Sequence, residues 1–341
     1  MSGAEKKAIL LVGGSVLLPK DFHLPFKASR STAGPGAGSV SVVFTFEGLR
    51  VKKSISRERG EFELHETAAG LSMTHRGKPF LDKVEMRPTI YHSPEQAFIN
   101  LHQECIYDCK FCTSPRLGKD ATKDLDLEKV RRMIIEVADR KDLCAVSITS
   151  AVVGSPEATI VEMVDVIRMV RSELGNDIPI GVEPYVSELS QIDRLKEAGA
   201  DEIKMNVETF DPEIFQKVCG ELDLDWIMEA LTHAVAVFGP GKVTTNIIFG
   251  MGESDRSILD GVERLARMGI VPTLRPLRLN EINRPVLEKA LGPLEPVTSK
   301  RVLSLSRRSK EILMRYGLTP TTYRTMRHHC RCCDIVPFAD I

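Results

Sequence analysis

From residue 96 onward, short apolar runs alternate with amphipathic helical patterns, and this alternation constrains the fold more than any other feature. Candidate strands cover 98–102, 144–149, 178–182, 202–207, 243–249 and 271–276. Candidate helices cover 127–140, 158–174, 188–198, 211–238 (broken near Gly220) and 257–267. Asp124 and Asp211 are suited to cap helix starts, and Gly175, Gly199 and Gly269 to end helices. Buried strands separated by helices predict an α/β fold with a parallel sheet, open or closed. A length of 341 residues allows one large α/β barrel or two ordinary domains.

Residues 1–95 read differently. Short β-like runs at 39–46, 61–64 and 70–74 are separated by Gly, Lys and Arg turns, which predicts a small, mostly β extension. The small-residue stretch 29–38 reads as a flexible loop; it lacks the Gly-Lys-Ser/Thr ending of a phosphate loop. An apolar run at 8–18 follows two lysines but is interrupted by Gly13 and Gly14, so it reads as a strand and a turn and not as a signal segment. No apolar run approaches the ~20 residues of a spanning helix. With 46 basic against 47 acidic residues, the chain offers no electrostatic footing for nucleic acid or an anionic membrane.

The chemistry concentrates in Cys105-Ile-Tyr-Asp-Cys109-Lys-Phe-Cys112, three thiols at C-x3-C-x2-C spacing on the loop after the first strand. Thiolates are soft ligands for iron–sulfur clusters or zinc. Structural zinc sites use four protein ligands in paired sets, and no fourth ligand stands nearby. Three cysteines hold three corners of a four-iron cluster and leave one iron open to a chelating ligand. Eight cysteines, clustered and not spread, suggest metal ligation in a reducing cytoplasm.

This motif, with aromatic Phe111 before its last cysteine, resembles the signature of the radical S-adenosylmethionine (radical SAM) superfamily. The resemblance implies a partial (β/α)6 barrel over 96–295, with chemistry at the C-terminal ends of the strands. It further implies a [4Fe–4S] cluster whose open iron chelates SAM, and reductive cleavage of SAM to a 5'-deoxyadenosyl radical that takes a hydrogen atom from substrate. An electron donor such as ferredoxin or flavodoxin is then needed. Within the superfamily, later stretches are similar to biotin and lipoyl synthases. These are Ser147-Ile-Thr149-Ser150, Asn206-Val-Glu208-Thr209 and Gly250-Met-Gly252-Glu253-Ser254. The resemblance implies that Phe111, Ser147, Thr149, Ser150, Glu183, Asn206, Glu208, Ile247 and Gly250 contact SAM. A Gly-Gly-Glu stretch after the second strand, common in the superfamily, is absent.

The C-terminal segment, 296–341, opens on a helix expected over 297–316 and ends in a second cluster, Arg327-His328-His329-Cys330-Arg331-Cys332-Cys333-Asp334. Three thiols within four residues suit no common zinc pattern. They predict a second iron–sulfur cluster on Cys330, Cys332 and Cys333, with the tail folded back over the strand ends. In biotin and lipoyl synthases a second cluster donates sulfur, which implies sulfur insertion into an unactivated C–H bond of an octanoyl, acyl-carrier or lipoyl-domain substrate. The alternative is a radical SAM enzyme of cofactor biosynthesis acting on a small molecule. It would catalyse C–C bond formation, rearrangement or methylation, the second cluster serving electron transfer or substrate anchoring.

Overall fold

The computed structural model describes residues 1–31, 36, 38–91, 93–117 and 124–341. Of the stretch 29–38 read as a loop, residues 32–35 and 37 lie outside them, and Ser29–Arg30 form a short strand. The run at 8–18 splits: residues 8–12 belong to helix α1 (Gly3–Val12), and Val16–Leu17 form a short strand after Gly13 and Gly14. The helix is capped by a box in which the Ser2 hydroxyl accepts the Glu5 N–H and the Glu5 carboxylate accepts the Ser2 N–H. Lys53 closes the far end by donating to the carbonyls of Leu10 and Gly13, both at 2.6 Å. Paired termini decide the conformation of an apolar run that periodicity leaves ambiguous.

Seven strands follow: β1 (Val16–Leu17), β2 (Ser29–Arg30), β3 (Val40–Phe46), β4 (Leu49–Ser56), β5 (Phe62–Thr67), β6 (Gly70–His75) and β7 (Lys78–Arg87). Their order is β2-β3-β4-β1-β5-β6-β7, and β7 also pairs with β3, so six of them close a ring. The expectation missed β4 and β7, whose charged residues obscure the alternation. Along β3, Val42, Phe44 and Phe46 fill the ring, and Ser41 and Val43 face outward.

The second sheet contains β8 (Gln96–Asn100), β9 (Ala145–Thr149), β10 (Ile180–Glu183), β11 (Glu202–Lys204), β12 (Val243–Phe249) and β13 (Val271–Pro276) in sequential order, every pairing parallel. Between them run α2 (Leu127–Ala138), α3 (Pro156–Leu174), α4 (Leu189–Glu197), α5 (Pro212–Cys219), α6 (Leu224–Phe238) and α7 (Asp255–Arg267). The break at Gly220 is as expected. Asp126, not Asp124, caps α2 through the Lys129 N–H. Beyond β13 come an unforeseen α8 (Arg284–Leu291), then α9 (Ser299–Arg315) and the short α10 (Met326–Cys330). No helix among the described residues is long and apolar enough to cross a membrane.

The register of this sheet positions everything else. Phe98, Ser147, Gly181 and Glu202 stand side by side across four strands, and the C-terminal tail lies against that row. Tyr323 and Met326 pack on Phe98. The Met326 N–H donates to Ser147 Oγ at 2.9 Å, and Thr325 Oγ1 to Glu202 at 2.7 Å. At Gly181 a Cβ would fall 2.0 Å from Thr325 Oγ1, so only glycine admits the tail there. Tyr323 donates its hydroxyl proton to the Ile203 carbonyl at 2.8 Å. The sheet therefore curls around its own C-terminal segment. The tail reaches the strand ends along their inner face instead of capping them from outside.

Candidate active site

Side chains two residues further along each strand share the same face one level higher. Above the tail-bearing row stand Thr149 and Glu183, and above Lys204 stand Asn206 and then Glu208. All except Lys204 line a cavity of about 280 Å3. Cys105, Cys109 and Cys112 line it as well. Their loop is fixed by backbone bonds on both flanks, Ile106 N–H to the Val152 carbonyl at 2.8 Å and Lys110 N–H to the Val218 carbonyl at 2.9 Å. Arg116 donates to the carbonyls of Cys109 and Cys112 at 3.1 and 2.6 Å, and it pairs with Asp108. Phe111 is buried beside the cavity, its carbonyl accepting from Asn283 at 2.9 Å. Burial pushes the Cys112 thiol up to about 11 and raises that of Cys105. A cluster's positive charge would reverse that preference, because metal ligation deprotonates thiols. Cys219, which the sequence left unassigned, is buried at the end of α5 with its thiol hydrogen bonded to that of Cys109.

Glu183 is held by Lys204 at 2.8 Å and by the Asn206 amide at 2.9 Å. Glu208 sits deeper. Its backbone adopts a positive φ of 59°, a conformation few non-glycine residues occupy. Its backbone bonds straddle β12, from Glu208 N–H to the Asn246 carbonyl and from Ile248 N–H to the Glu208 carbonyl. Burial drives its carboxyl up to about 7, with Lys204 opposing and Glu183 adding to the rise. Its Oε2 is buried without a hydrogen-bond partner. A buried orphan acceptor beside a cavity implies a donor that arrives with a ligand, and ribose hydroxyls or an ammonium group supply such donors.

Four residues expected at SAM lie elsewhere. Ser147 is one level too deep and engages the tail. Ser150 turns its hydroxyl to the Ala151 carbonyl at 2.7 Å. Ile247 points to the opposite face of β12, into the core, while Asn246 and Ile248 line the cavity. Gly250 has φ 110°, and a Cβ there would meet Val297 Cγ2 at 2.3 Å; packing against the segment before α9 requires this glycine.

The tail arrives at the same cavity. Cys330 and Cys332 are each 1% exposed and Cys333 is 9% exposed, all three packed against Val43 of β3. Cys333 lines the cavity. The Cys332 carbonyl accepts the Lys52 N–H at 2.8 Å, and the Arg331 carbonyl accepts Lys7 at 2.6 Å. Asp334 pairs with Arg275 of β13 at 3.1 Å. The Cys332 thiol donates to the Cys330 carbonyl at 2.9 Å, and hydrogen bonding from Cys332 holds the Cys330 thiol below the usual thiol range. Among the described residues no three His, Cys, Asp or Glu side chains already converge as a ligand set; each trio is brought together by its backbone. The sequence missed Arg275, Arg278 and Asn246 on the cavity wall. Asn246 stands next to Ile247, the residue expected to contact SAM, and since successive side chains of a strand face opposite sides, that expectation had placed Asn246 and Ile248 on the wrong face.

Residues 99–265 match the family model described as the radical SAM superfamily. The chain carries a radical SAM domain. Such domains use a [4Fe–4S] cluster and SAM, and three thiols beside an unpartnered buried carboxylate oxygen fit that pair. The chain is similar to a probable GTP 3',8-cyclase of Thermococcus kodakarensis, 28% identical over 219 residues, with 59% of this chain and 64% of the relative covered. It is also similar to a bacteriochlorophyllide c C-7(1)-hydroxylase of Chlorobaculum limnaeum, 23% identical, with 52% of each covered. The chain thus spans under two-thirds of the length of the curated relatives it matches. Methylornithine synthase shares the fold at 18% identity and a TM-score of 0.51, over 65% of this chain and 69% of that one. The biotin and lipoyl synthase resemblance of the strand-end motifs is not upheld: the curated relatives above are named as GTP 3',8-cyclases and a bacteriochlorophyllide hydroxylase.

Proposed function

We propose that this protein is a radical SAM enzyme of cofactor assembly. It would act on a small polar molecule by C–C bond formation or rearrangement, and not by sulfur insertion into an octanoyl chain. One observation carries this reading: Cys333 of the tail and the three cysteines of the signature line one cavity. A second cluster on Cys330, Cys332 and Cys333 would lie where substrate sits and would anchor it. When bound, the first cluster and SAM supply a 5'-deoxyadenosyl radical. The chain's own residues supply position. Cys105, Cys109 and Cys112 hold the cluster. Glu208 accepts hydroxyl or ammonium donors of SAM, and Asn206 and Thr149 flank it. Glu183, fixed by Lys204 and Asn206, orients the wall between the two trios. Ser41, Lys52 and Ser54 of β3 and β4 form one wall of the cavity, and such covering would limit the access of water to the reacting groups.

The test is anaerobic reconstitution with iron and sulfide analysis, then incubation with SAM and dithionite. GTP and an octanoyl-lysyl peptide serve as parallel substrates, the first chosen because similar proteins are named as acting on it. The expected result is 5'-deoxyadenosine formation with no thiolated peptide. A thiolated octanoyl product would restore sulfur insertion. Zinc without acid-labile sulfide would remove the radical reading altogether.

A further inference from the structure

The inner face of β8 begins with a polar side chain that the rest of the fold does not use. Ala97 and Ile99 of this strand join the main core, while Phe98 packs on Tyr323 and Met326 of the tail. Alternation puts Gln96 on the face of Phe98, one level lower. Gln96 is fully buried, and neither its Oε1 nor its Nε2 has a hydrogen-bond partner. Across the pairing to β9 it meets Ala145, which has no polar side chain. An unpaired buried amide is costly, so its retention points to a group with complementary atoms.

The tail brings the second cysteine trio to this spot. Ser93 and Gln96 form an antiparallel bridge, and residues paired in that way carry their side chains on the same side. The Ser93 side chain, itself buried, hydrogen bonds to the Cys330 thiol. Helix α10 carries the chain from Met326, against Phe98 and Ser147, to Cys330 at Ser93. Gln96 lies between those two contacts. Other polar groups of this corner are committed: the Glu95 carboxylate binds Arg50 at 2.9 and 3.0 Å, and the Glu95 carbonyl accepts the Cys144 thiol at 2.7 Å. The Gln96 amide is not. Sulfurs of an iron–sulfur cluster are acceptors, and hydrogen bonds to them set its reduction potential.

We infer that Gln96 is a positioning residue of the second cysteine site, its amide donating to a sulfur of the iron–sulfur cluster held by Cys330, Cys332 and Cys333. The inference rests on the second cluster of the proposed function and adds the donor that stabilises its reduced, more negative state. The experiment uses the full chain with Cys105/Cys109/Cys112→Ala, reconstituted anaerobically so that the second cluster is read alone. Iron is counted, and the midpoint potential is taken from a redox titration followed by electron paramagnetic resonance. With Gln96 in place this chain should hold about four irons. Gln96→Leu should keep them and titrate at a more negative potential, by about 59 mV for a tenfold loss of preference for the reduced state. Gln96→Met, unbranched and equally without donors, should shift in the same direction. The cluster-free Gln96→Leu chain should unfold at a temperature no lower than its Gln96 parent, because leucine removes an unpaired amide from the interior. A purely structural glutamine would give the reverse, a less stable chain with an unmoved potential, and that result overturns the inference. An unmoved potential with four irons and unchanged stability overturns it too and leaves the second cluster standing. No iron in the Gln96 parent overturns both.

Discussion

The two cysteine trios are built in opposite ways. Cys105, Cys109 and Cys112 lie within one eight-residue loop, half-buried, and hang between two neighbouring carbonyls and Arg116. Cys330, Cys332 and Cys333 are buried in a seam that three distant parts of the chain create: Val43 and Lys52 of the ring, Lys7 of α1, and Arg275 of β13. The first site is local and survives as long as its loop does. The second exists only after the tail has threaded along the sheet. The loop therefore suits a cofactor that must be reached by SAM and an electron donor, and the seam suits a group that must stay fixed while substrate turns over.

The sharpest way to test that contrast is to remove each trio. Cys→Ala at any one of Cys105, Cys109 or Cys112 should abolish 5'-deoxyadenosine formation from SAM under reducing conditions, a loss of at least about a thousandfold because the cofactor carries the chemistry. Undiminished formation in the triple variant would end the assignment. The Cys330/Cys332/Cys333→Ala variant should lower iron from about eight to about four per chain, one four-iron cluster out of two. Its remaining cluster should keep the electron paramagnetic response to added SAM. Four irons in both proteins would show that the seam holds no cluster.

A smaller effect probes what holds the seam. Asp334 is 2% exposed and pairs with Arg275, 12% exposed, across the fold. Removing one partner of a buried ion pair leaves an uncompensated charge. Asp334→Ala should cost about 3 kcal/mol in denaturant unfolding and should release iron from the second site before the first. Simultaneous loss from both sites would mean that the trios are not separately anchored.

The same contrast decides what could be read in advance. The six strands and their helices were legible because strands buried on both faces read as short continuous apolar runs and helix ends need caps. Asp211 and Gly220 announced their roles locally. The signature loop was legible because its ligands are neighbours in sequence. The threaded tail was not. Tyr323, Thr325 and Met326 make their contacts with Phe98, Ser147, Gly181 and Glu202, residues more than a hundred positions away, and no local pattern records such a pairing. Ser147 shows the cost: its neighbours in the motif suggested a cofactor contact, but one strand level separates it from the cavity and the tail uses its hydroxyl. In β4, Lys52 and Lys53 are adjacent and alike in sequence, yet one lines the cavity and the other caps a helix. Only the strand's register distinguishes them.

The mildest prediction concerns Glu208, on the loop-trio side of the cavity. Its carboxyl titrates at about 7 in the folded chain against an ordinary 4.5, chiefly because it is buried. Between those values the folded state holds a proton that the unfolded state has released. Stability of the cofactor-free protein must then fall as pH rises from about 4.5 to about 7, and level off above. The whole shift corresponds to on the order of 3 kcal/mol, but Glu183 and Lys204 share the titration, so the slope measured for one substitution is smaller. Glu208→Gln removes the charge and keeps the shape. Thermal unfolding of the cofactor-free variant should show less loss between pH 5 and pH 8 than wild type. Its affinity for SAM at pH 8 should drop by about 1.5 kcal/mol, the lower range for a hydrogen bond to a charged group. The two readouts move in opposite directions only if the carboxylate is costly to the empty fold and useful to the loaded one. A variant that is no more stable at pH 8 and binds SAM as wild type does would show that Glu208 is an ordinary buried acid, and SAM would have to be held by Glu183 and the cysteine loop alone.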